Sequence, residues 1–117
     1  MQFIYVFLGG GFGAMSRYGI SKVISDQYFP YATLIANIIS CVILGYLLGL
    51  TMQKSLDSKM QLLLMTGFCG GFSTFSTFSA ETFNLIENNQ FSLALLYVGA
   101  SLLICILSIW IGLKIAL

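Results

Sequence analysis

Gly67-Phe-Cys-Gly-Gly-Phe-Ser-Thr-Phe-Ser-Thr-Phe-Ser79 sets glycines, five hydroxyls and four phenylalanines in the middle of an otherwise apolar run. Taken as a membrane-spanning segment over residues 60–86, the run has its midpoint at Ser73, just after the Gly70-Gly71 pair. Glycine is a poor helix former, and adjacent glycines at mid-span invite a break in the hydrogen-bond ladder. Non-helical backbone at that depth survives where it is buried in protein or lines a cavity, and there its freed amides and carbonyls can meet an ion. The sequence therefore predicts a helix broken near Gly70 to Thr74. Beyond the break a three-residue period follows, with Phe75 and Phe78 on one stripe and Ser76 and Thr77 on the stripes beside it. Hydroxyls donate hydrogen bonds and an aromatic ring carries a positive edge, so this pattern suits a small anion without a full positive charge that would trap it.

Outside that stretch the composition points to lipid as the solvent. Hydrophobic residues make up 58% of the 117-residue chain and charged residues 8%, which is outside the range of soluble domains. Crossing a hydrocarbon core of ~30 Å takes roughly 20 residues of helix. Four segments meet that length, over residues 2–24, 31–52, 60–86 and 91–114. The fold class expected is an all-α membrane protein, a single domain over residues 1–117 with four transmembrane helices. The first segment has no basic region ahead of it, so it reads as a helix of the mature protein and not as a signal peptide. The connections, such as Asp26 to Pro30, leave no room for a soluble domain, which places the function inside the bilayer.

Lipid gives no hydrophobic drive for helices to associate, so close backbone approach has to supply it. Gly9-xxx-Gly13, Gly45-xxx-Gly49 and Gly67-xxx-Gly71 provide it, with Ser108-xxx-Gly112 as a looser version. A formal net charge of +1 offers no footprint for nucleic acid. There is no histidine, and Cys41, Cys69 and Cys105 have no metal-ligand spacing, so they read as small apolar fillers.

With four spans, Lys54, Lys59 and Lys114 fall on one side of the membrane and Arg17 and Lys22 on the other. That difference is too small for the positive-inside rule to fix an orientation. The balance permits insertion both ways and pairing of two opposed copies, with a weakly biased single orientation as the alternative. Among polar residues within spans, Asn37 is costly in lipid without partners and serves as pathway or as interhelical glue. Arg17 either snorkels or lines a vestibule, Glu81 lies near a span end, and Tyr97 and Ser101 share one face of the last segment.

Residues 67 to 79 resemble the signature of the Fluc (CrcB) fluoride channels. Gly9-Gly-Gly-Phe-Gly-Ala-Met-Ser-Arg-Tyr18 resembles their first-helix motif, and Thr33-Leu-Ile-Ala-Asn37 is similar to their second-helix asparagine motif. The resemblance implies an antiparallel, dual-topology homodimer in the plasma (inner) membrane, with two pores lined by both subunits. It places Asn37, Ser76 and Thr77 on a polar track, Phe75 and Phe78 as ring edges facing fluoride, and Tyr97 and Ser101 opposite them. Arg17 and Glu81 would lie toward the vestibules. The backbone carbonyls of Gly70 and Ser73, doubled by the two-fold axis, would hold a structural Na+. Ala32 and Ala36 depart from the family pattern by small apolar changes. Cys105 stands where the family can carry a further hydroxyl.

The function this implies is passive, fluoride-specific efflux that lowers cytoplasmic fluoride. The competing reading is a small multidrug-type, proton-coupled exporter, which shares the size and helix count but needs an intramembrane carboxylate; the first helix has no acid before Asp26. A helical subunit of a larger complex has no use for the hydroxyl-rich break. Catalysis finds no paired carboxylates, histidine or metal cluster to work with, so no enzyme is expected.

Overall fold

In the computed structural model, which describes residues 2–24 and 29–117, every regular element among those residues is helical. The first, α1, is Gln2–Val23, and α2 is Tyr31–Met52, entered from Pro30, whose missing N–H costs nothing at a helix start. The third, α3, covers residues 58–72. Its ends Ser58–Met60 and Gly70–Phe72 are α-helical, while Gln61–Cys69 between them is π-wound. Asp57 caps it by accepting from the Met60 amide at 2.9 Å. After Ser73 and Thr74 the chain continues as α4, Phe75–Glu87, and then α5, Phe91–Ala116. The link expected at Asp26 to Pro30 lies mostly outside the described residues.

The interruption predicted for 70–74 sits at its far end. Gly70 and Gly71 stay helical, and extended backbone begins at Ser73 (φ −84°, ψ 157°) and Thr74 (φ −151°, ψ 124°). The reason is visible in the side chains. Ser73 Oγ folds back onto the Cys69 carbonyl at 2.8 Å, and Thr74 Oγ1 caps α4 by accepting from the Thr77 amide at 3.2 Å. Hydroxyl residues that bond the local backbone compete with helix interiors and favour N-caps. Gly71 serves another purpose, which is contact with Gly10 of α1.

Of the four spans expected, α2 and α5 are each long and apolar enough to cross a bilayer by length and composition. Glycine, Ser16, Arg17 and Lys22 dilute the hydropathy of α1, and the break divides the third span into two pieces too short to qualify alone. At 1.5 Å per residue, 15 and 13 residues together still reach roughly 40 Å. The longest dimension of the molecule is 48 Å. Burial is inverted relative to a soluble bundle. Gly9, Gly13, Ala36, Ser40, Ala94, Ser101 and Ser108 are interior, while Phe3, Phe12, Leu103 and Ile106 are more than half exposed. That is the arrangement expected where the outer solvent is hydrocarbon.

Two helix pairs form the body, α1 along α3 and α2 along α5. Any Cβ at Gly9 or Gly13 would strike the Leu63 or Phe68 carbonyl of α3, and one at Gly71 would strike Gly10. Both carbonyls belong to the π-wound stretch or its edge, whose wider turns take the place of the regular α-helix that the sequence suggested. On the other pair, Gly45 lies against the Ile109 carbonyl and Gly112 against the Val42 carbonyl. Each small-residue motif singled out above is thus a backbone contact. Gly13→Leu is expected to destabilise the protein by about 1–3 kcal/mol, the usual cost of overpacking. Thermal unfolding in detergent reads this, with Gly19→Leu as the control, since a Cβ there meets nothing within 4 Å.

Candidate functional site

Breaking a helix leaves amides and carbonyls without partners, and the site is built from how those groups are met. The Thr74 amide, which an unbroken helix would direct to the Gly70 carbonyl, donates instead to Asn37 Oδ1 on α2 at 3.1 Å. Because the amide oxygen of Asn37 is occupied by an N–H donor, its Nδ2 hydrogens remain as donors for another acceptor. The Cys69 carbonyl at the end of α3 accepts from the Ser73 amide at 3.0 Å, Ser73 Oγ at 2.8 Å and Ser40 Oγ of α2 at 3.2 Å. Arg17, expected to snorkel or line a vestibule, reaches the Gly71 carbonyl through Nε at 3.4 Å. The break is therefore tied to α1 and α2 by side chains from each.

Beside the break lies an open pocket of about 270 Å³ between α2, α4 and α5. Asn37, Ser73, Thr74, Phe75, Phe78 and Ser101 supply its polar and aromatic lining, and none of its lining residues is charged. The rings of Phe75 and Phe78 stand 5.8 Å apart, tilted by 42°. Phe75 is 78% exposed. Ser101 Oγ is buried and has no hydrogen-bond partner among the described residues. A buried hydroxyl normally finds a partner, so one that faces such a pocket is a donor held ready for an acceptor.

The remaining residues expected at the site lie around the pocket. Ser76 is exposed, with its hydroxyl 3.3 Å from Thr74 Oγ1, and Thr77 is half-buried at the first turn of α4. Tyr97 is fully buried, its ring 4.9 Å from that of Phe78 and edge-on to Phe29 at 5.3 Å. Its hydroxyl donates to Glu81 Oε1 at 2.9 Å, and Thr33 donates to Glu81 Oε2 at 3.0 Å. Glu81 is thus held at both oxygens and is not a simply solvated span end.

Comparison with known proteins shows which family the chain belongs to. A family model described as CrcB-like protein, Camphor Resistance (CrcB), matches residues 4–113. The chain belongs to the CrcB-like family. Among curated relatives, the fluoride-specific ion channel FluC of Flavobacterium psychrophilum is 40% identical over 116 residues, covering 96% of this chain and 94% of that one. The fluoride-specific ion channel FluC of Pyrococcus abyssi is 43% identical over 111 residues, 93% of this chain and 90% of that one. That of Coxiella burnetii is 41% identical over 118 residues, covering 96% and 94%. In this CrcB-like chain, sequence reasoning missed Thr33 as a partner of Glu81 and Ser40 as a partner of Cys69. A lone hydroxyl in an apolar helix gives no signal of a partner dozens of residues away. Thr33 does precede Asn37 by one helical turn, on the face that turns inward. Removing the acceptor of the Thr74 amide by Asn37→Ala is expected to cost about 1–3 kcal/mol, the penalty for a buried N–H left unpaired. Equilibrium unfolding in detergent measures it, and Ser76→Ala, at an exposed hydroxyl, is expected to change stability by less than about 0.5 kcal/mol.

Proposed function

We propose that this chain is a fluoride channel, a multi-pass protein of the plasma membrane that lets fluoride leave the cell passively and so lowers cytoplasmic fluoride. The observation that carries the reading is the uncharged pocket at the helix break, where an unpartnered hydroxyl, an amide donor and two phenylalanines meet. It is supported by the relatives, which are fluoride-specific ion channels by name. The chain is an ion channel and not an enzyme.

Moving a bare halide into a low-dielectric medium costs tens of kcal/mol. A path must return most of that cost through donors, and release the ion again by spreading it over several weak sites. Ser101 Oγ, the Nδ2 hydrogens of Asn37, the hydroxyls of Ser76 and Thr77, and the positive ring edges of Phe75 and Phe78 form such a series. Fluoride is small and strongly hydrated, so it gains most from close donors. Larger halides are excluded by width. Tyr97 holds Phe78 from behind, while Arg17 reaches the Gly71 carbonyl and Glu81 lies one turn past Phe78, both outside the pocket lining. Proton-coupled export of a cation has little support, since no carboxylate lines the pocket and both Glu81 oxygens are engaged.

The pocket is open on one side and Phe75 is mostly exposed, as fits a path completed by a second copy of the chain. The balanced charges permit insertion both ways, and so an antiparallel arrangement of the two through dual topology. In such a dimer the carbonyls of Gly70 and Ser73 suit a structural Na+. The Thr74 and Thr77 amides, which a helix would aim at them, donate to Asn37 Oδ1 and Thr74 Oγ1 instead. Neutral carbonyl oxygens match a hard cation, and bound sodium would fix the two breaks together across the axis.

Liposomes containing this polypeptide alone are expected to release fluoride, read with an ion-selective electrode. Phe75→Ile or Phe78→Ile should abolish release while the dimer still assembles; undiminished efflux in both variants rules out the ring-edge path. For topology, a cysteine placed at exposed Lys54 in a background lacking Cys41, Cys69 and Cys105 should react with impermeant maleimide from both faces of the membrane. Labelling from one face alone would reject dual insertion.

A further inference from the structure

The three cysteines have different surroundings. Cys69 is buried, 3% exposed, among the contacts that close α3 against its neighbours. Cys41 on α2 and Cys105 on α5 are partly exposed, and both line the open pocket from neighbouring helices. Their spacing does not depend on side-chain wandering alone. The backbones of α2 and α5 are locked together about one turn away, Gly45 on the Ile109 carbonyl and Gly112 on the Val42 carbonyl. Each thiol also sits one helical turn from a pathway donor on its own helix. Asn37 precedes Cys41 by four residues and Ser101 precedes Cys105 by four, and residues so spaced share a face.

We propose that Cys41 and Cys105 form a two-thiolate site for a soft monovalent metal cation of the silver(I) or copper(I) class, and that its occupancy shuts the anion path. The second half of that statement rests on the channel reading above; the first half does not. Thiolate sulfur selects soft ions of this class, whereas hard cations such as sodium and magnesium prefer oxygen. Two sulfurs, one from each of two packed helices, supply the two ligands that the linear coordination of these ions requires. No fixed positive charge lines the pocket to turn a cation away.

The chemistry is a ligand exchange without oxidation. Each S–H bond breaks heterolytically, both protons pass to water, and each sulfur lone pair forms one bond to the metal. Two neutral thiols and a cation of charge +1 thus become a complex of charge −1. The product places a fixed negative charge one turn from the donors of Asn37 and Ser101, where it repels an entering anion as well as narrowing the pocket.

Silver nitrate in chloride-free medium is the probe, applied to the intact protein in two assays. In detergent, gel filtration followed by elemental analysis is expected to find one silver per chain in the wild type and in Cys69→Ala. Cys41→Ala and Cys105→Ala should each retain at least fivefold less. In liposomes, micromolar silver is expected to slow wild-type and Cys69→Ala fluoride efflux at least tenfold. The Cys41→Ala and Cys105→Ala variants, each measured against its own silver-free rate, should be slowed less than twofold. Equal silver retention after both substitutions, or none in the wild type, overturns the site. Retention with undiminished efflux overturns the block. Retention by a protein that never conducts fluoride leaves the metal site standing and rejects the channel reading instead.

Discussion

An amide hydrogen at Thr74 no longer has a helix carbonyl to receive it, and a bilayer interior offers no water in exchange. Each unsatisfied backbone group in such surroundings costs several kcal/mol, so an interrupted span is tolerated once another part of the fold supplies the partner. Asn37 Oδ1 is that partner, at 3.1 Å. Much follows from this bond. It ties α2 to the break, leaves the asparagine's Nδ2 hydrogens to other acceptors, and takes from the Gly70 carbonyl the donor that an unbroken helix would give it. The Ser73 and Thr74 hydroxyls complete the arrangement by bonding the Cys69 carbonyl and the Thr77 amide. A pocket with polar lining and no formal charge is the result, and that combination is what an anion must meet if it is to enter and leave again.

Packing elsewhere serves the same end. Most large apolar side chains face outward, where hydrocarbon receives them, and the interior combines glycine, alanine, serine and threonine with a few large residues, Leu47, Phe72, Leu85 and Tyr97. Dispersion contacts between closely approached backbones then hold the helices. α1 needs Gly9 and Gly13 because its partner surface is a set of carbonyls in a π-wound turn. π-wound turns are rare and concentrate near functional positions, and this one ends at Cys69, the carbonyl that accepts from Ser73 and Ser40.

Much of this is legible in the residues alone. Apolar length marked the helices, small-residue spacing marked the contacts, and Gly70-Gly71 marked the neighbourhood of the break. The break itself is displaced toward Ser73 and Thr74, whose hydroxyls bond the local backbone, while Gly71 answers to the distance from α1, a property of two helices that one segment's composition does not encode. Asn37 was legible as a polar group in need of partners, yet its partner was not, since it is a backbone amide 37 residues away. The same holds for Thr33 and Ser40. The π winding of Gln61–Cys69 had no local signature, because it opens on Gln-Leu-Leu-Leu-Met, ordinary helix formers. Periodicity reveals faces, and tertiary contacts decide which atom on a face is used.

Glu81 shows why those tertiary contacts matter to the path. A carboxylate close to an anion route works against the anion by charge alone, and the sequence placed it only near a span end, toward a vestibule. Its two oxygens are taken by Tyr97 and Thr33. Tyr97 is fully buried and packs its ring against Phe78 on one side and Phe29 on the other. A buried phenol needs an acceptor for its hydroxyl hydrogen, and a charge-assisted bond supplies a stronger one than a neutral group does. The carboxylate thereby fixes the tyrosine, and the tyrosine fixes the face that Phe78 presents to the pocket. Two donors spread the negative charge while the carboxylate itself stays out of the pocket lining. The electrostatic cost of Glu81 is accordingly the counterpart of a rigid aromatic wall, in a membrane interior where no hydrophobic drive between helices would otherwise hold that ring in place.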